Sequence, residues 1–258
     1  IADPFCDKIL DPWNDRWIPK FNYPNLKSYP FDKTSGTVSI LQTNQTPYTW
    51  ELTAFTPPAL NETQQDLMIY ELLLRDFTDS SSLVTAMGRL DYLKSLGVNA
   101  IELMPVNDFD GNDSWGYGPN FFFAPDKYYG RKQDYKKFID ECHKRGIAVI
   151  LDLVMNHCFG QSPLALMYFD PSTGSGQPLP QNPWLNTQAP HPLSVGYDFN
   201  HESPFTREFF KKVLQYWLTE YNVDGFRFDL SKGLTQKYTG SDLRSEERRV
   251  GKECRSRW

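Results

Sequence analysis

A chain of 258 residues, 40% hydrophobic and 23% charged, has the balance of a globular protein and length for one large domain or two modest ones. Its net charge of −5 argues against nucleic acid or an anionic membrane as the main partner. It contains no run of about 18 apolar residues, so no transmembrane segment is expected.

Residues 1–62 are rich in Pro, Asn, Asp and aromatics. Two short runs, 37–41 (TVSIL) and 48–52 (YTWEL), read as strands, and Thr56-Pro57-Pro58 reads as a linker. From Leu67 the pattern becomes strand then helix, repeated. Residues 68–74 form a predicted first strand. Leu83, Met87, Leu90 and Leu93 follow at helical spacing up to Gly97, and residues 98–106 make a second strand. Tyr135, Phe138, Ile139 and Cys142 mark the next helix, which Gly146 closes before a third strand over 147–155. Phe210, Val213, Leu214, Trp217, Leu218 and Tyr221 form the cleanest helical stripe, and residues 223–230 a fourth strand. Near-continuous apolar strands alternating with amphipathic helices imply an α/β fold with a parallel sheet covered on its faces.

Two segments at strand ends carry chemistry. Asp152-Leu153-Val154-Met155-Asn156-His157 leads out of the third strand, and Gly225-Phe226-Arg227-Phe228-Asp229 lies in the fourth. Residues two apart in a strand face the same way, so Arg227 and Asp229 share a face. A guanidinium beside a carboxylate favours the ionised carboxylate, and an ionised, positioned Asp at the C-terminal end of a strand is suited to act as a nucleophile.

Together, in this order and after strands, the two segments resemble the first two signature regions of the α-amylase superfamily of glycoside hydrolases. The resemblance implies a (β/α)8 TIM barrel, of which four βα units are present, preceded over 1–62 by the C-terminal part of an all-β sandwich module. The stretch Asp3-Pro4-Phe5 through Leu10-Asp11-Pro12-Trp13-Asn14-Asp15 is similar to that module. Residues 63–157 would begin the catalytic barrel and 202–243 continue it through the fourth strand. Residues 158–201, rich in Pro, Gly, Ser and Gln, sit where the family inserts a small domain after the third strand.

Retaining glycoside hydrolysis uses two carboxyl groups about 5 Å apart, one attacking the anomeric carbon and one handling the proton. The resemblance implies that Asp229 is the nucleophile, that Arg227 orients it, and that Asp152 pairs with Arg227 as structural support. His157 would hydrogen-bond sugar hydroxyls. Tyr117, in Trp115-Gly116-Tyr117-Gly118-Pro119, would stack on the sugar being cleaved, with Trp115 beside it. Lys232 matches a lysine on the leaving-group side, whereas Gly233 stands where the family commonly has His. Asn156 and Asp198 match positions that hold a structural calcium ion in many members, and oxygen ligands suit that ion; no organic cofactor is implied. The oxygen-rich loop of Asp108, Asp110, Asn112 and Asp113 reads instead as a solvated turn. Cys158 beside His157 has no further Cys/His pair to make a zinc site.

The implied activity is cleavage of α-glucosidic bonds in α-glucan oligo- or polysaccharides through a covalent glycosyl-enzyme. The alternatives are an α-glucan branching or transglycosylating enzyme, and a non-catalytic carbohydrate-binding barrel or transporter subunit. A polymeric substrate favours a secreted or periplasmic location. The family's general acid follows a fifth strand that this sequence does not show, so the chain is expected to be an inactive fragment of its parent enzyme. Residues 244–258, with six basic and three acidic residues, resemble the translation of a sequencing adapter and are expected to lie outside the fold. Without them three cysteines remain, an odd number that cannot complete a disulfide framework.

Overall fold

The computed structural model describes residues 2–58, 67–173 and 176–237. Chain order begins with β1 (Ile9–Leu10) and β2 (Val38–Ser39), then β3 (Ile69–Leu72), α1 (Leu74–Phe77), α2 (Leu83–Met87) and α3 (Leu90–Ser95). It continues with β4 (Ala100–Leu103), β5 (Asn107–Phe109), β6 (Pro119–Pro125), α4 (Lys132–Lys144) and β7 (Ala148–Val154). Then follow β8 (His157–Cys158), α5 (Pro163–Leu166), β9 (Phe169–Asp170), β10 (Gln177–Pro178), β11 (Tyr197–Asp198), α6 (Pro204–Glu220) and β12 (Gly225–Asp229). Among the described residues, no helix is long and apolar enough to cross a membrane.

β12, β7, β4 and β3 form one parallel sheet in that spatial order. The register sets its two faces. Leu72, Leu103, Leu151 and Leu153 point to one side and are at most 1% exposed. Glu71, Glu102, Asp152, Arg227 and Asp229 alternate with them and point to the other. The apolar side is covered by helices. α4 buries Tyr135, Phe138, Ile139 and Cys142, and α6 buries Phe209, Phe210, Val213 and Trp217, all in one core with the strand leucines. Each helix has a physical start. Asp134 Oδ2 accepts from Arg131 N at 2.8 Å, and Ser203 Oγ accepts from Phe205 N at 3.2 Å with Pro204 at the first helical position. The indole Nε1 of Trp217 donates to Phe122 O at 2.9 Å, which satisfies its polar atom inside the core.

The four predicted strands are all present but shorter than the apolar runs. The first stops at Leu72, and α1 begins at Leu74. The second stops at Leu103, two residues before Pro105, which has no N–H to donate to a ladder. The helix expected across Leu83 to Leu93 is two helices, because Gly88 ends the first with its N–H on Thr85 O at 3.1 Å. The strand expected over 48–52 does not form. Asp140 on α4 accepts from Tyr48 Oη at 3.0 Å, Glu51 N at 2.9 Å and Leu52 N at 3.1 Å. A carboxylate thus takes donors that a partner strand would otherwise satisfy.

Residues 2–58 contribute one antiparallel ribbon, β1 with β2, and lie against the α/β body. Phe5 packs on Phe123 and Phe209, and Asn22 Nδ2 donates to Ser80 O at 2.9 Å and Tyr128 O at 2.7 Å. Lys127, itself buried, pairs with buried Asp15 at 2.9 Å. Neighbouring Asp126 is buried as well, and burial pushes its carboxyl up to about 7. Residues 158–201 form two small ribbons, β8 with β11 and β9 with β10, and bury Leu164, Leu185 and Phe199 in the main core. The three cysteines Cys6, Cys142 and Cys158 are free thiols, Cys142 fully buried as its helical position predicts. The adapter-like stretch 244–258 lies outside the described residues.

Candidate active site

The polar face of the sheet culminates at the C-terminal ends of β7 and β12. Arg227 lies directly opposite Asp152 in the β12–β7 register, and Asp229 opposite Val154. Neighbouring strands stand about 4.8 Å apart, so a guanidinium on one strand reaches a carboxylate on the next. Arg227 Nη1 reaches both Asp152 oxygens at 2.9 Å and Asp229 Oδ1 at 2.7 Å. The two carboxylates differ in access: the Asp152 side chain is 0% exposed and that of Asp229 22%. Asp152 is therefore a buried brace, and Asp229 is the accessible carboxylate of the pair.

Tyr117 closes the brace. Its hydroxyl donates to Asp152 Oδ2 at 2.8 Å. Gly116 makes the fold-back possible: its φ is +92°, and a Cβ there would stand 2.4 Å from Pro105 O. His157 then fixes Tyr117 from behind, its Nε2 lying 2.8 Å from Tyr117 O. A carbonyl only accepts, so Nε2 carries the hydrogen, and Nδ1 is buried without a partner in the described structure.

Burial and charge act in opposite directions here. Burial raises the Asp152 carboxyl above its usual value, and the bonds from Arg227 and Tyr117 offset only part of that rise. Burial lowers Arg227, but the bonds and charges of Asp152 and Asp229 outweigh it, so it is held above its usual value. Burial and then the bond to Asp152 raise the Tyr117 phenol. Burial lowers His157 and favours its neutral form. Glu102, on the same face, is raised by burial first and by the Asp152 charge second.

The structure thus brings together Asp229, Arg227, Asp152, Tyr117 and His157. Trp115, 58% exposed, lies on the same loop as Tyr117, and Lys232 is exposed on a 3₁₀ turn three residues past Asp229. The expectation that His157 bonds sugar hydroxyls meets a different arrangement: the ring is 2% exposed and its Nε2 serves the Tyr117 carbonyl. Glu71 and Glu102 were not singled out in the sequence, although each falls on the polar alternation of its strand.

Asn156 and Asp198 do not form a cation cage. Among the described residues Asn156 Oδ1 is buried without a hydrogen-bond partner. Both oxygens of Asp198, however, are engaged by the protein: Asn186 Nδ2 donates to Oδ2 at 2.7 Å, and His191 Nε2 lies 3.1 Å from Oδ1. Among the described residues no group of three His, Cys, Asp or Glu side chains is placed to hold a metal ion, whereas calcium takes about six to eight oxygens.

Residues 78–192 match the family model described as the catalytic domain of alpha amylase. The chain is 37% identical to the chloroplastic isoamylase SU1 of Zea mays over 203 residues, covering 67% of this chain and 25% of that protein. It is 30% identical to the 1,4-alpha-glucan branching enzyme GlgB of Aliivibrio fischeri over 214 residues, covering 80% of this chain and 27% of that protein. Among solved structures it is similar to the type I pullulanase of Bacillus subtilis strain 168 complexed with maltose. That match has a TM-score of 0.57 at 30% identity and covers 85% of this chain and 33% of the pullulanase. The chain spans about a quarter of the length of the curated relatives it matches.

Proposed function

The chain belongs to the α-amylase superfamily, and from that premise we propose that it carries the nucleophile side of a retaining α-glucan hydrolase, with Asp229 as the attacking group. The observation that carries the reading is the Arg227 bridge, which leaves one carboxylate buried and the other accessible on a shared guanidinium. Arg227 holds Asp229 Oδ1, so Oδ2 is the oxygen that would attack the anomeric carbon. The bond from that carbon to the leaving oxygen breaks as a general acid delivers a proton to the leaving oxygen, and water later releases the glycosyl group. Asp152 is not that acid, because Arg227 and Tyr117 occupy its oxygens.

Tyr117 keeps its hydroxyl on Asp152, and exposed Trp115 and Lys232 offer a stacking surface and a cation for hydroxyl groups. An α-glucan fits the relatives, which include an isoamylase and a 1,4-alpha-glucan branching enzyme. In the enzyme that carries this segment, Asp229→Asn should abolish turnover while oligosaccharide binding persists; turnover near the wild-type rate would refute the nucleophile assignment. The similarity to a branching enzyme supports a second reading, transfer to a sugar hydroxyl instead of water. Product analysis on starch separates the two, since hydrolysis raises reducing ends in proportion to bonds cleaved and transfer does not.

A further inference from the structure

The turn after Asp229 is under backbone strain and is tied down at a distance. Leu230 adopts φ +44°, a left-handed conformation unfavourable for a bulky L-residue, and the chain then enters the 3₁₀ turn Ser231–Leu234. Such a conformation persists only where its surroundings over-determine it. Gly233 lies flat on Asn156, where a Cβ would stand 3.1 Å from Asn156 Cβ. Two side chains from residues 158–201 then reach across to this turn. His191 Nε2 lies 2.9 Å from Gly233 O and 3.1 Å from Asp198 Oδ1. Asn186 Nδ2 donates to Asp198 Oδ2 at 2.7 Å and to Gln236 Oε1 at 2.8 Å. Asp198 sits on β11, so both bridges run from one ribbon to the segment behind Asp229.

We propose that His191 is a positioning residue that does, without a metal ion, what a bridging cation would do: it cross-links β11 to the turn following Asp229. The Gly233 carbonyl can only accept, so Nε2 carries a hydrogen and donates it there, with Asp198 Oδ1 3.1 Å from the same nitrogen. The imidazole side chain is 0% exposed, so water does not compete for that hydrogen. The Asp198 carboxylate, which a calcium ion would have recruited, is linked to the Gly233 carbonyl by the imidazole instead. The bridge is separate from the chemistry proposed for Asp229 and can be tested without turnover.

The test is thermal melting of the full chain in EDTA and in millimolar CaCl2, for wild type, His191→Leu and His191→Gln, with limited proteolysis of residues 230–237 as the local readout. The wild-type midpoint should be the same in both buffers. His191→Leu, which keeps bulk but loses the donor, should melt lower by about 3–6 °C and be cut in this turn. His191→Gln, which restores an N–H, should recover most of the midpoint and resist cutting. A wild-type midpoint that falls in EDTA would overturn the proposal in favour of a metal, and so would a leucine variant that melts and resists protease like wild type. If the leucine variant does not fold, His191→Gln decides: a folded, protease-resistant glutamine variant with an EDTA-insensitive midpoint upholds the metal-free bridge, and a glutamine variant that also fails to fold, or an EDTA-sensitive wild-type midpoint, rejects it.

Discussion

The two faces of the β12–β7–β4–β3 sheet are built from alternate residues of the same strands, yet they do different work. On one, Leu72, Leu103, Leu151 and Leu153 are buried in one core with residues of α4 and α6. On the other, Glu71, Glu102, Asp152, Arg227 and Asp229 form a charged surface, the last three joined through a single guanidinium. The leucine face stabilises by removing apolar area from water. The charged face sacrifices that gain for geometry, and its raised Asp152 and Glu102 show the penalty of burying carboxyls. A stability experiment and a chemical one should therefore divide along the alternation of the strands.

The largest stability effect is expected on the leucine face. Leu151→Ala leaves a cavity under the helices and should lower the unfolding free energy by about 2–5 kcal/mol in urea titrations. A loss below about 1 kcal/mol would mean that this face is not the packed one. The second effect comes from a histidine on the helix side. His201 stacks on Phe210, places Nε2 2.8 Å from Met155 O, and is lowered by burial to about 4. Its folded value lies below the unfolded 6.5, so the unfolded chain takes the proton first as pH falls. Stability is fully present above about pH 6.5 and should be lost progressively toward pH 4, by up to about 3 kcal/mol. His201→Gln should flatten that limb in melts recorded against pH; an unchanged limb would assign it elsewhere. The smallest effect is expected on the charged face. Glu102→Gln removes a charge that burial and Asp152 disfavour, and should change stability at pH 7 by no more than about 0.5 kcal/mol, toward gain. A loss above 1 kcal/mol would show that Glu102 has a partner it needs ionised.

Much of this was legible residue by residue. The stripe from Phe210 to Leu218 lies within α6 and Tyr221 caps its C-terminus, and Arg227 and Asp229 share a face because they are two apart in β12. Other readings failed where local pattern was ambiguous. The YTWEL run at 48–52 has strand composition, but Asp140 from α4 captures its donors. The spacing of Leu83 to Leu93 suits one helix, but Gly88 divides it.

What the sequence determined alone is periodic and local: which elements form, which residues share a face, and that a guanidinium lies beside Asp229. Side-chain direction in a strand follows from the alternation of the backbone, so no distant contact is needed to read it. What only the tertiary structure decided is which loop closes on which strand. The Tyr117–Asp152 bond spans 35 residues and the His191–Gly233 bond 42, and neither partner marks the other by spacing. Those pairings depend on the path of whole loops over the packed sheet, set by the burial of groups such as Phe199 and Leu185 in a core assembled from segments far apart in the chain.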